Sequence, residues 1–275
     1  MGLAEIAPDV YLLRQPVLDV NATLIVGGEV AVVVDTLSTD AQAAQLRDAV
    51  RAVTALPLVL VNTHHHFDHC FGNDVLAADS PGCAIWAHEA AAAELRDHAA
   101  RWQREWYDEW LPTHPDLARE LAEVTVRPPD RTLHTESMMD IGGRVLELRH
   151  LGRGHTEGDL VVAVPDAPVL LAGDLVEEAG PPSFGDSFPI EWPETLAALL
   201  LSTAPGATVV PGHGAPVDLD FVRAQHDELT ALAWLIRDGH ADGAPAEAVA
   251  AKAAYGPTVA LTAVRRGYAE LAGRL

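Results

Sequence analysis

Between residues 58 and 69 the chain runs from an unbroken apolar stretch, Leu58-Val59-Leu60-Val61, through Asn62 and Thr63 into His64-His65-His66-Phe67-Asp68-His69. This passage restricts the fold more than any other. An apolar run of this kind reads as a strand buried on both faces, and such strands belong to sheets covered by helices. Directly beyond it, four potential metal donors fall within six residues. Residues two apart in an extended or turning segment point the same way, so His64 and His66 can serve one cation. Asp68 and His69, on the turn into the next helix, can face a second. Imidazole nitrogen and carboxylate oxygen suit zinc, and two metals about 3.5–4 Å apart form a recurrent hydrolytic site.

A histidine cluster is sometimes only an expression tag or an incidental surface binder. This one is internal, follows an apolar strand, and has matching donors elsewhere in the chain. These are His155 in Gly152-Arg153-Gly154-His155-Thr156-Glu157-Gly158-Asp159, Asp174 after Leu170-Leu171-Ala172-Gly173, and His213 in Pro211-Gly212-His213-Gly214. Each follows the end of an apolar run and stands among glycines, which let backbone approach a metal.

The surrounding pattern gives strands at Val10–Arg14, Asn21–Val26 and Val30–Asp35, the last two joined by a tight turn at Gly27-Gly28-Glu29. A helix spans Asp40–Val53, capped by Thr39 or Asp40. Glu89 to about Leu111 is helical, with Trp102, Trp106 and Trp110 on one face, and a shorter helix runs to about Val124. Strands follow at Arg144–Leu151, Leu160–Val164 and Val169–Ala172, then a helix at Pro193–Leu201 and a strand at Thr208–Val210. From Leu219 to Leu275 the chain is mostly helical. Two runs of strands, each with its helices, imply two sheets packed face to face with helices outside.

The order HxHxDH, GH, GD, GHG resembles that of the metallo-β-lactamase superfamily, across about Val10 to His213, and Asp35 in Val32-Val33-Val34-Asp35-Thr36 matches that family's first motif. The resemblance implies a four-layer αβ/βα sandwich of class α/β, with a helical insertion at about 89–124. On this reading residues 1–218 form the catalytic domain and 219–275 a C-terminal helical segment packed on it. It further implies that His64, His66 and His155 hold a first metal, that Asp68, His69 and His213 hold a second, and that Asp174 bridges them. Two zinc ions are the expected cofactors, with manganese or iron as alternatives. A hydroxide held between two such cations would be the nucleophile, with Asp68 as the catalytic residue that orients it and passes its proton to the leaving group.

Within this family Asp174 argues against β-lactam hydrolysis as the main role, because true β-lactamases of the family generally lack an aspartate there. Thioesterases of the glyoxalase II type and lactonases share the full pattern, so an ester, thioester or lactone is the expected substrate. A β-lactam hydrolase and a mononuclear iron enzyme like the persulfide dioxygenases are the alternatives. Phe184, Phe188 and Trp192, in the loop after Asp174, are candidate pocket walls, as is Trp106. The tryptophan helix reads as ordinary core, with substrate cover as the alternative. An apolar pocket would take a hydrophobic small molecule.

Charge narrows the partners. With 40 acidic against 18 basic residues and a formal net charge of -22, the surface repels nucleic acid and anionic lipid. No basic stretch or long apolar run opens the sequence, so the expectation is a cytoplasmic monomer or homodimer that acts on a small molecule without membrane contact. Cys70 and Cys83 are expected as reduced, buried thiols.

Overall fold

The computed structural model describes residues 2–275. It opens with four antiparallel strands, β1 (Ala4–Ala7), β2 (Val10–Gln15), β3 (Val20–Val26) and β4 (Ala31–Val34). The β3–β4 turn passes hard against a neighbouring loop: a Cβ on Gly27 would lie 2.1 Å from the Ile141 carbonyl oxygen. Helix α1 (Asp40–Val53) begins where Thr39 accepts a bond from the Gln42 N–H at 3.3 Å, and it buries Ala43, Leu46 and Val50. Strand β5 (Leu58–Val61) then returns parallel to β4. Beyond it come α2 (Phe67–Cys70), α3 (Asn73–Ala78) and β6 (Ile85–His88), the last parallel to β5. The insertion consists of α4 (Glu89–Trp110) and α5 (Pro115–Glu123), after which β7 (Arg131–Leu133) pairs with β6.

The second half is an antiparallel meander of β8 (Glu136–Asp140), β9 (Val145–Arg149), β10 (Val161–Val164) and β11 (Val169–Glu177). Helix α6 (Trp192–Ser202) crosses over to β12 (Thr208–His213), which runs parallel to β11. Helices α7 (Leu219–Ala241), α8 (Ala246–Ala250) and α9 (Pro257–Leu271) complete the chain. The strand order is β7-β6-β5-β4-β3-β12-β11-β10-β9-β8, and β3 meets β12 through one residue pair, Val20 opposite His213. The two halves are therefore separate sheets that touch at a seam.

Three apolar clusters define the layers. Val10, Ile25, Val32 and Val61 of the first sheet face Leu146, Leu148, Val162 and Leu171 of the second, forming the sandwich interior. Leu24, Val33 and Leu60 point the other way, toward Leu46 and Val50 of α1 and Leu76 of α3. Leu170, Val176 and Val209 pack outward on Leu196, Val222, Ile236 and Val264 of α6, α7 and α9. Burial of each such side chain is worth roughly 1.5–3 kcal/mol. This is the αβ/βα sandwich, with α7 and α9 sharing the outer layer of the second sheet. Among the described residues no helix is long and apolar enough to cross a membrane.

The sequence patterns miss several elements. Strands β1, β6, β7 and β8 and the short helices α2 and α3 carry too few residues for a period to show. Strand β11 does not end at Ala172 but continues to Glu177, and β12 continues to His213. Asp174 and His213 consequently lie on neighbouring parallel strands rather than in the loops beyond them.

Candidate metal centre

The loop leaving β5 is held by side chains bonded to backbone. Asn62 Nδ2 donates to the His69 carbonyl at 3.2 Å, and the Thr36 N–H donates to the same carbonyl at 2.8 Å. Asp35, at the end of β4, has φ +62°, a left-handed backbone that non-glycine residues seldom adopt. That conformation turns its buried carboxylate under the loop, where it accepts from the Thr63 N–H, the Thr63 hydroxyl and His69 Nδ1, each at 2.8 Å.

Two groups of donors converge at the seam between the sheets. His64, His66, His155 and Asp174 each present an atom within 4.8 Å of the others, and so do Asp68, His69 and His213. Asp174 reaches both groups: its Oδ2 is 3.4 Å from His155 Nε2, 3.7 Å from His64 Nε2 and 3.3 Å from His213 Nε2, and its Oδ1 is 3.1 Å from His69 Nε2. Asp68 Oδ2 lies 3.3 Å from His213 Nε2. All seven residues singled out from the sequence thus meet in one place.

The outer partners of the imidazoles fix which nitrogen faces inward. His69 Nδ1 donates to Asp35, and His213 Nδ1 donates to the Leu18 carbonyl at 2.7 Å, leaving both Nε2 atoms turned to the centre. Thr63 Oγ1 donates to Asp35 and so accepts from His64 Nδ1 at 3.1 Å, which frees His64 Nε2. His66 is reversed: its Nε2 donates to Asp186 at 3.2 Å, so its Nδ1 faces His155 Nε2 at 2.9 Å. His69 Nε2 and His213 Nε2 face each other at 3.3 Å. Imidazole lone pairs aimed at one another repel unless a proton or a metal cation sits among them, and His64 Nε2 and Asp174 Oδ1 are buried without a hydrogen-bond partner. This donor set fits divalent cations.

Electrostatics agree with that fit. Burial pushes His155 down to about 4 and His64 well below the ordinary imidazole value, so both are neutral donors. Burial opposes charge on Asp174, yet His69, His213, His64 and His155 hold it well below the usual carboxylate range. His69 and His213 are raised, against burial, chiefly by Asp174. Burial, and then Asp174, push Glu177 well above its usual value.

The centre opens into a cleft of about 660 Å³. One wall is apolar, formed by Leu18, Phe67 and the α4 rings Trp102, Trp106 and Trp110; Trp102 and Trp106 stack at 5.3 Å. Trp106 is also buried against Phe67 and Phe71, so the tryptophan stripe is core on one side and cleft wall on the other. Phe184, Phe188 and Trp192 do not line this cleft. They turn inward, and Trp192, 0% exposed, supports His155 from behind. The loop offers Ala179, Gly180, Pro181, Ser183, Gly185 and Asp186 to the cleft instead. Phe184 and Trp192 join the apolar layer built by α6, α7 and α9, and Phe188 lies beneath the guanidinium of Arg153 at 4.2 Å.

Sequence reasoning also missed Glu105, Glu109, Glu177, Asp186 and Arg266 in the cleft wall. Glu177 lies past the apolar run Val169–Ala172 and carries no local signal, and Asp186 and Arg266 arrive through tertiary packing. His65 turns from the centre toward Asp186, at 3.2 Å, and Trp102. His88 is structural, with Nδ1 accepting from the Ala90 N–H and Nε2 donating to the His134 carbonyl.

Residues 16–213 match the family model of the metallo-beta-lactamase superfamily. The chain belongs to that superfamily. Among curated metallo-beta-lactamase relatives, a Metallo-beta-lactamase type 2 from Bacillus sp. (strain 170) is 32% identical over 102 residues, covering 36% of this chain and 40% of that protein. A Metallo-beta-lactamase type 2 from Bacillus cereus is 31% identical over 102 residues, with the same coverage. The match thus spans about 40% of the length of these relatives. Among solved structures, a metallo-beta-lactamase from Pontibacter korlensis superposes with a TM-score of 0.67 at 20% identity, covering 83% of this chain and 98% of that one. The DIM-1 metallo-beta-lactamase gives a TM-score of 0.65 at 19% identity, covering 84% and 98%. At such identities the structural likeness concerns the fold.

Proposed function

We propose that this protein is a metal-dependent hydrolase that holds two divalent cations, zinc as expected, and cleaves an ester, thioester or lactone of an apolar small molecule. The observation that carries the proposal is the position of Asp174, whose two oxygens reach four imidazoles drawn from both donor groups. His64, His66 and His155 would hold the first cation and Asp68, His69 and His213 the second, with Asp174 shared. When bound, such cations supply a water acidified toward neutral pH and a Lewis acid for the carbonyl oxygen.

The chain's own residues do the rest. Asp35, Thr63, Asp186 and the Leu18 carbonyl hold His64, His66, His69 and His213 each in one tautomer and direction, so these four need no reorganisation during the reaction. Asp68 lines the cleft and is placed to take a proton from the attacking water at a carboxylate oxygen. It then returns that proton to the departing oxygen or sulfur as the acyl bond breaks. Trp102, Trp106 and Trp110 offer an apolar surface to the substrate's side chain. With Glu105, Glu109, Glu177 and Asp186 against a single Arg266, the cleft disfavours polyanionic substrates.

A second reading, β-lactam hydrolysis, is favoured by the names of the Bacillus relatives. A panel of thioesters, lactones, aryl esters and a chromogenic β-lactam, run alongside elemental analysis, separates the two. Turnover of the first three with two zinc ions per chain supports the proposal. Selective turnover of the β-lactam moves the protein to the second reading, and metal-replete protein inert on every ester and lactam overturns both.

A further inference from the structure

Glu177 ends β11, three residues beyond Asp174. On a regular strand, residues three apart face opposite sides of the sheet. The pairing with β12 is irregular at this point: Gly173 stands opposite Pro211 and Glu177 opposite His213, so four steps on β11 answer two on β12. A bulge of this kind re-aims side chains beside a site. Here it puts Glu177 into the same cleft as Asp174 and His213, with one donor atom from each of the three within 4.8 Å.

The surroundings of that carboxylate are unusual. Glu177 is only 9% exposed. Its backbone N–H bonds Gln225 Oε1 at 3.0 Å, but among the described residues no N–H or O–H group donates to its side chain. A carboxylate largely withdrawn from water, with its oxygens open only to the cleft, no donor and a second carboxylate beside it, is disfavoured in its charged form unless a cation faces it.

We propose that Glu177 is an additional ligand of the second metal position, beside Asp68, His69, His213 and the shared Asp174. This rests on the two-cation reading above. The first position then carries three imidazoles and one carboxylate, and the second carries two imidazoles and three carboxylates. Imidazole-rich sites suit zinc, whereas carboxylate-rich sites of higher coordination number suit harder cations such as manganese(II). Zinc can occupy both positions, but the second is the better of the two for a harder cation, so a chain already holding one zinc at the first should accept manganese(II) at the second.

The test uses the full chain stripped of metal by chelation, loaded with one equivalent of zinc, and titrated with manganese(II). Electron paramagnetic resonance reads free manganese, and elemental analysis reads zinc. Wild type is expected to take up one manganese(II) while retaining its zinc. Glu177→Gln should lower manganese(II) affinity tenfold or more with zinc content unchanged, and Glu177→Asp should fall between. Cobalt(II) in the second position gives a readout independent of any variant: weak visible absorption, typical of five or six ligands, is expected in wild type. Equal manganese(II) affinity in wild type and a folded Glu177→Gln, or intense four-coordinate cobalt absorption in wild type, overturns the assignment of Glu177. Failure of wild type to bind any second cation overturns the two-cation reading itself.

Discussion

Gly212 separates Pro211 from His213 on β12, and its backbone is not left-handed, so alanine suits the chain there. The obstacle is Asp174. A Cβ on residue 212 would lie 1.7 Å from Asp174 Oδ1 and 2.9 Å from its Cγ, whereas real Cβ contacts under 3.0 Å essentially do not occur. Gly212→Ala must therefore push that carboxylate oxygen back by about 1.3 Å. Displacing a catalytic group by about 1 Å lowers turnover by about 10²-fold, equivalent to about 2.7 kcal/mol of transition-state stabilisation. Because Asp174 serves both donor groups, both positions should weaken together. The assay combines kcat/KM on a model thioester, metal content after dialysis against a mild chelator, and the melting temperature of the metal-free protein as a control for folding. The expected result is a loss of at least a hundredfold in kcat/KM with both metals reduced and the metal-free melting temperature little changed. Two tightly held metals and wild-type turnover in Gly212→Ala would refute the central position given to Asp174.

Asp35→Asn should reduce metal affinity 10- to 100-fold, since an amide cannot accept all three bonds and favours the His69 tautomer that carries its proton on Nε2; chelator competition measures this. Burial pushes His88 down to about 4, so the folded protein keeps it neutral while the unfolded chain protonates near its ordinary value. Stability from His88 is therefore intact above about pH 6.5 and lost as pH falls toward 4, and denaturant midpoints of His88→Asn should show a shallower pH dependence than wild type across that window. Trp106→Ala should destabilise the chain by about 3–5 kcal/mol in urea titrations and raise KM for substrates with apolar groups more than it lowers kcat. If KM is unchanged while stability falls, Trp106 is core alone.

The donor residues were legible in the sequence because they cluster just after the apolar runs that form β5, β11 and β12, within a few residues of one another or beside glycines. Helix α1 was legible for a similar reason: Thr39 caps it, and Ala43, Leu46 and Val50 repeat at helical spacing. The direction of Phe184, Phe188 and Trp192 was not legible, because an aromatic loop next to a metal site serves equally as pocket wall or as core. What decides it is distant chain. Arg266 donates to the carbonyls of Asp186 and Ser187, Arg237 Nη2 donates to the Ile190 carbonyl, and Glu270 accepts from the Ile190 N–H. Strand β8 was hidden because Glu136-Ser137-Met138-Met139-Asp140 has neither an apolar run nor apolar/polar alternation, and Glu177 by a bulge that no local period records.

The single pair joining β3 to β12 has a mechanical consequence. Four of the seven central donors, His64, His66, Asp68 and His69, come from the first sheet's half of the chain, and three, His155, Asp174 and His213, from the second. Cations bound at the seam would therefore act as rivets between two plates that otherwise adhere through side-chain packing and scattered hydrogen bonds, such as those from Asn21 Nδ2 to the Pro211 and Gly214 carbonyls and from the Gly28 N–H to the Gly142 carbonyl. Loading should merge two unfolding events into one cooperative transition, and chelation should let the plates part at the mouth of the cleft before either sheet melts.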